Sequence, residues 1–211
     1  KPGEEPGAVF NYQTTGMCLL MHCIERAYGL YDIDDPEGSA KMGGLFKDRI
    51  AGRIGAAWQY NAGSQKMAES ARVDVFGWGT SIRTTLHDHA RMGWLWCNDG
   101  AWAGEQIVPA KWLRASTRVN PFLRDAEEPA MRRYGHGFWS NEFGQLWPDL
   151  PRDGFTSWGA GGNYAICFPS LELSITMNPV DFDGQTQPYE TMSAAWRFQQ
   201  QVLTPILNSI R

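Results

Sequence analysis

The sequence predicts an α+β domain, mainly helical and loop-rich over residues 1–130 and built from antiparallel strands and a closing helix over 131–211. Three observations predict it. Apolar residues recur at helical spacing in the first half, at a period of two from Tyr134 onward, and at helical spacing again near the end. Helices followed by a run of strands is the α+β order. A chain of 211 residues can bury a substantial core, and 43% hydrophobic with 20% charged residues is a globular composition.

Met17, Leu20, Met21, Ile24 and Tyr28 share one helical face, so residues 13–28 are expected to be helix, with Gly29 as its stop. Residues 30–80, punctuated by Gly43-Gly44, Gly52, Gly55 and Gly63, read as loop with short helical pieces. A second helix runs from Leu86 to Asn98. Thr85 can cap it, with Asp88 three residues later, and Leu86, Ala90, Gly93, Trp94 and Cys97 lie on one face. Asn98-Asp99-Gly100 ends it in a turn, and Pro109 opens a short helix carrying Trp112 and Leu113.

From Tyr134 to Trp139 side chains alternate with glycines as in a strand. Phe155 to Trp158 and Asn163 to Phe168 also read as strands, and Pro169-Ser170 turns the chain. Leu171, Leu173, Ile175 and Met177 then alternate with Glu172, Ser174 and Thr176, the pattern of a half-buried antiparallel strand. The closing helix covers roughly 188–203, with Ala195, Phe198 and Val202 on one side. Pro205 ends it or restarts it.

The net charge is −4 and the basic residues look scattered, which offers nucleic acid no electrostatic footprint. No apolar run approaches the roughly 18 residues of a membrane span. Cys18, Cys23, Cys97 and Cys167 form no Cys-x-x-Cys pair and sit in apolar surroundings, as small buried side chains do. His87 and His89, two apart, split around a helix and read as surface or capping residues; His22 reads as a core-edge residue. No metal site and no cofactor is expected. The 10 Trp, 10 Phe and 7 Tyr can line a ligand groove but are read chiefly as core.

Three stretches carry chemistry. The first is Pro6-Gly-Ala-Val-Phe-Asn-Tyr12, followed by Leu19-Leu20 and Ile24-Glu25. The second is Gly79-Thr-Ser-Ile-Arg-Thr-Thr85 leading into His89-Ala-Arg-Met-Gly93, then Asn98-Asp-Gly100, Trp102, Gly104 and Ile107-Val-Pro-Ala-Lys-Trp112. The third is Tyr134-Gly-His-Gly-Phe-Trp139, then Trp147-Pro148, Phe155-Thr-Ser-Trp-Gly-Ala-Gly-Gly-Asn163 and Pro169-Ser-Leu-Glu-Leu173. In this order and spacing they resemble the serine β-lactamase/penicillin-binding-protein superfamily, nearest its class C-like esterases and 6-aminohexanoate-oligomer hydrolases.

The resemblance implies the C-terminal part of a β-lactamase-like fold and a serine hydrolase that passes through an acyl-enzyme on an ester, amide or peptide substrate. A serine hydroxyl is a poor nucleophile until a base takes its proton. In the superfamily a Ser-x-x-Lys supplies nucleophile and lysine, and a tyrosine shuttles the proton; Tyr12 matches that tyrosine. The strand at Ser157-Trp158-Gly159 would face the nucleophile, with the N–H of Ala160 or Gly161 donating to the oxyanion. Thr14 stands where the family usually has asparagine, and Ser157-Trp158-Gly159 contains no lysine or histidine, so penicillin-type carboxylate recognition is not expected. Thr14 and His136 are candidate substrate contacts.

No Ser-x-x-Lys occurs in the chain: Ser39-Ala-Lys41 and Ser64-Gln-Lys66 have the wrong spacing for one helical face. The expectation is that serine and lysine come from a preceding segment or a second chain, and that this chain alone leaves a sheet edge uncovered. The alternative is a β-lactamase-like binding module, without catalysis, whose Trp-lined cleft takes a peptide or glycan. The compartment stays open.

Overall fold

The expected first helix forms as α1 (Thr14–Ala27), and glycine stops it. Gly29 takes φ +64, which lets the Leu30 N–H reach back to the Glu25 carbonyl at 2.8 Å. These details come from a computed structural model that describes residues 10, 12, 14–30, 39–64, 78–159, 163–178 and 192–210. Residues 11–88 form one compact unit; residues 89–211, with Phe10, form another.

In the first unit α2 (Ser39–Phe46) continues through a wider π turn, Lys47–Ala51, and a 3-10 turn, Gly52–Ile54, burying Met42, Ala51 and Ile54. Strands β1 (Gln59–Ser64) and β2 (Trp78–Arg83) then pair antiparallel, Gln59 opposite Arg83 and Ser64 opposite Trp78. This corrects the irregular reading of residues 30–80. Gln59-Tyr60-Asn61-Ala62 does alternate polar with apolar residues, but over four residues running into Gly63, too short a run to stand out among the glycines of this stretch.

Helix α3 (Leu86–Cys97) starts where expected, its Thr85 hydroxyl accepting the Asp88 N–H at 3.1 Å. Its inward face differs from the sequence reading: Leu95 is fully buried, whereas Trp94 is exposed. Two short strands, β3 (Ala101–Trp102) and β4 (Glu105–Gln106), form a hairpin turned by Ala103 and Gly104 at φ 50 and 85. Pro109 precedes α4 (Ala110–Thr117), which buries Leu113, and Asn120 caps the single turn α5 (Pro121–Arg124).

The sheet of this second unit is an antiparallel meander in the order β5 (Trp139–Ser140), β6 (Phe155–Gly159), β7 (Asn163–Phe168), β8 (Leu173–Met177). Period two sorts its side chains cleanly. On one face Trp139, Trp158, Tyr164, Ile166 and Phe168 pack with Leu146 and Trp147. The closing helix covers that face: α6 (Met192–Phe198), a π turn Gln199–Leu203 and α7 (Thr204–Ser209) contribute Ala195, Phe198, Leu203 and Leu207. Pro205 therefore restarts the helix after a widened turn, as its missing N–H requires.

Helix α3 lies on the opposite face. The Cys167 thiol donates to the Gly93 carbonyl at 3.2 Å and the Cys97 thiol to the Leu173 carbonyl at 3.3 Å. A Cβ on Gly93 would sit 2.6 Å from the Ser174 hydroxyl, so the absent side chain lets the helix lie close to β8. Cys97 and Cys167 are buried as expected; Cys23 is exposed, contrary to the reading of all four as buried. The outer edge of β8 has no strand partner among the described residues.

Two strand expectations fail, one in part: Leu171 lies in the 3-10 turn Pro169–Leu171 and Glu172 takes φ +49, so the strand expected from Leu171 begins at Leu173. Tyr134–Trp139 is a tight turn, closed by a Tyr134–Trp139 bridge and a 2.8 Å hydrogen bond from the Gly135 N–H to the Phe138 carbonyl. Gly137 at φ +87 reverses the chain, so alternation with glycine marked a turn rather than a strand.

Candidate active site

Tyr12 stands just ahead of α1 in the 11–88 unit and is 53% exposed. Thr14 opens the helix. The Pro6-Gly7 pair lies outside the described residues.

Ser157, Trp158 and Gly159 occupy the end of β6 in the other unit. Alternation divides them. Trp158 turns into the core, 5% exposed, with ring centroids 5.8 Å from both Trp147 and Tyr164. Only its backbone is left to line a cleft. Ser157 and Gly159 lie on the opposite, half-open face. A Cβ on Gly159 would meet nothing closer than the Asn163 side chain at 3.6 Å, an ordinary contact. Packing within the chain thus does not require glycine there. Ala160 and Gly161 lie outside the described residues.

His136 is at the tip of the 134–139 turn, not in a strand. Its N–H donates to the Ser116 carbonyl at 2.9 Å, and its ring stacks on Trp112 at 6.0 Å with planes 5° apart. These partners put it on the α4–α5 side, where none of Ser157, Trp158 and Gly159 lines the adjoining groove. A second cavity of about 400 Å³ in this unit is lined by Trp96, Asp99, Glu142, Arg152 and Asp153 among others, and includes none of the expected residues. The sequence reading missed the basic residues Lys111, Arg114, Arg118 and Arg124 that gather in one groove. Their signal was the i, i+3, i+7 spacing of the first three.

Among the described residues no group of three or more His, Cys, Asp or Glu could hold a metal ion, and no helix is long and apolar enough to cross a membrane. Burial raises the Cys167 thiol well above its usual pKa. Burial lowers His89, which is half-buried rather than on the surface.

Glu25 is the unusual carboxylate. It is 4% exposed, its Oε2 has no hydrogen-bond partner among the described residues, and burial raises its pKa. A carboxyl whose folded pKa exceeds its unfolded value binds more protons when folded, so it favours folding more as pH falls through the raised value. Glu25→Gln is expected to melt higher than wild type at pH 7. The gap should close as pH drops below the raised carboxyl value; thermal melts from pH 7 to 4 measure it.

An antiparallel sheet with α3 on one face and a C-terminal helix on the other is an α+β arrangement of the β-lactamase-like kind. The chain is similar to a solved structure titled "Crystal structure of putative beta-lactamase from Bacteroides dorei DSM 17855", with a TM-score of 0.59 at 18% identity. The match covers 97% of this chain and 60% of that one, so the chain spans about three fifths of its neighbour's length. No family model matches the chain. No curated protein matches it either.

Proposed function

We propose that the chain is the C-terminal part of a serine hydrolase that forms an acyl-enzyme on an ester or amide. The observation that carries this reading is the β-lactamase-like fold, in which Tyr12 sits just before α1 and the end of β6 keeps Ser157 and Gly159 on an open face. In the proposed cycle a serine from outside these 211 residues attacks the substrate carbonyl carbon. Its proton passes to the Tyr12 oxygen as the tyrosine hands its own proton to the lysine of the Ser-x-x-Lys, and the carbonyl oxygen, now negative, receives the N–H of Ala160 or Gly161. Tyr12 returns the proton to the departing alcohol or amine as the carbonyl–heteroatom bond breaks. Water then repeats the sequence on the acyl-serine. Thr14 offers a hydroxyl to the substrate where the family pattern has an amide. Penicillins are poor candidate substrates, since the Ser157-Trp158-Gly159 triplet has no cation for their carboxylate.

Labelling the full-length gene product with a fluorophosphonate tests the reading. One covalent adduct is expected, on the serine of a Ser-x-x-Lys outside the present chain. No adduct with either a fluorophosphonate or a penicillin probe would sink it. The rival reading, a tryptophan-lined binding cleft, cannot draw on Trp139, Trp147 and Trp158, whose rings fill the core.

A further inference from the structure

We propose that the groove along α4 and α5 binds a phosphoryl-bearing ligand, with Lys111 and Arg118 supplying charge and the His136 ring a directed N–H. The groove, about 480 Å³, is lined by Lys111, Arg114, Arg118, Arg124 and His136 among others, and no carboxylate lines it. Two of the four cations are already paired: Arg114 with Asp99 at 2.6 Å and Arg124 with Glu142 at 2.8 Å. Lys111 and Arg118 have no acidic partner among the described residues. The local surplus is therefore two positive charges, on a chain whose net charge is −4. A phosphate monoester carries about −1.5 to −2 at neutral pH and matches that surplus.

The helix by itself disfavours this arrangement. Lys111, Arg114 and Arg118 fall at i, i+3 and i+7, on the face opposite buried Leu113 and Ser116. Arg114 lies three and four residues from Lys111 and Arg118, where like charges repel, and its ion pair with Asp99 offsets part of that repulsion. The macrodipole favours cations near the C-terminal end, which suits Arg118, but opposes Lys111 in the first turn. An anion in the groove relieves both effects.

The hydrogen bonds around His136 fix its tautomer. Asn120 Oδ1 accepts the Phe122 N–H at 3.0 Å as the α5 cap, so the Asn120 amide presents its NH₂ to His136 Nδ1 at 3.3 Å. Nδ1 accepts, and in the neutral ring the proton must then be on Nε2. Nε2 has no partner among the described residues and remains a donor. The ring is held in place by Trp112 and by the turn beneath it. That turn is clamped to the end of α4, since a Cβ on Gly135 would run into the carbonyl oxygens of Ser116 and Arg118.

Calorimetric titration with inorganic pyrophosphate in low-salt buffer at pH 7, run beside sedimentation with phosphatidylglycerol vesicles, tests the site. The Lys111→Ala/Arg118→Ala double variant should keep its melting temperature, because both side chains are exposed, and weaken binding at least tenfold. His136→Ala should weaken it severalfold, while Lys47→Ala, exposed in the other unit, should not. Pyrophosphate binding lost in the double variant upholds a soluble ligand. Vesicle binding lost in that variant, without pyrophosphate binding, upholds a lipid headgroup. Failure of both ligands to bind wild type, or binding indifferent to the double substitution, overturns the proposal.

Discussion

Asn141→Leu is expected to destabilise the protein by about 3–5 kcal/mol, because it strands several buried polar groups at once. Asn141 is fully buried, and its side chain replaces solvent for a whole loop. Its amide NH₂ donates to the carbonyls of Trp147 at 2.9 Å, Pro151 at 3.0 Å and Leu150 at 3.3 Å. Its Oδ1 accepts the Trp147 N–H at 2.8 Å. Its own backbone is tied to Gly154 and Gly144. These bonds shape residues 141–154 so that Leu146 and Trp147 drop into the core, both fully buried. Leucine fills similar space but satisfies none of the partners. A drop of roughly 10 °C in Tm follows for a chain of this size, with loss of near-ultraviolet dichroism as Trp147 loses its packing. Asn141→Asp separates the causes. It keeps an acceptor for the Trp147 N–H but turns a carboxylate oxygen toward carbonyls, so its deficit should shrink on acidification, when the carboxyl becomes a donor. The leucine variant should show no such recovery.

Tyr12→Phe is expected to lower the acylation rate of the full-length protein by about 10²–10⁴, the usual worth of a positioned proton-transfer group. The fold should survive, since the side chain is half-exposed and loses only a hydroxyl. Stopped-flow acylation by an activated ester measures the effect. Leaving-group dependence adds a specific signature: esters of acidic alcohols, which depart without protonation, should lose less than amides. An equal rate for phenylalanine and tyrosine on every substrate would remove Tyr12 from the chemistry.

What could be read from the sequence was what each segment fixes locally. The extent of α1 and its glycine stop, the Thr85 cap, and the strand at Asn163–Phe168, whose side chains alternate between faces as any strand's do, depend on neighbours a few residues apart and appear in the fold; the apolar face read for α1 does not, since Met17, Leu20 and Tyr28 are exposed. The same alternation sends Trp158 inward and leaves Ser157 and Gly159 on the open face. Features that depend on distant partners were hidden. Strand β1 alternates only over residues 59–62, too short a run to mark a hairpin whose partner strand starts only at Trp78. Leu95 is fully buried while Trp94 is exposed because α3 is covered over a wide arc that one helical wheel does not specify. Gly135 and Gly137 looked like strand punctuation, whereas the close approach of α4 and a left-handed φ make a turn of them. The basic groove needs α4, α5 and that turn together, and only one of its rows of residues is contiguous in sequence.

The meander has a consequence for the order of assembly. Each of its strands pairs with the next along the chain, so it can zip up through short loop closures, the kind of topology that forms quickly. The outer flank of β8, without a strand partner among the described residues, would then exist as a finished template before any remote segment arrives. A strand supplied from elsewhere would dock late, adding a rung without breaking one, and refolding should show a fast phase independent of that strand and a slower one that requires it.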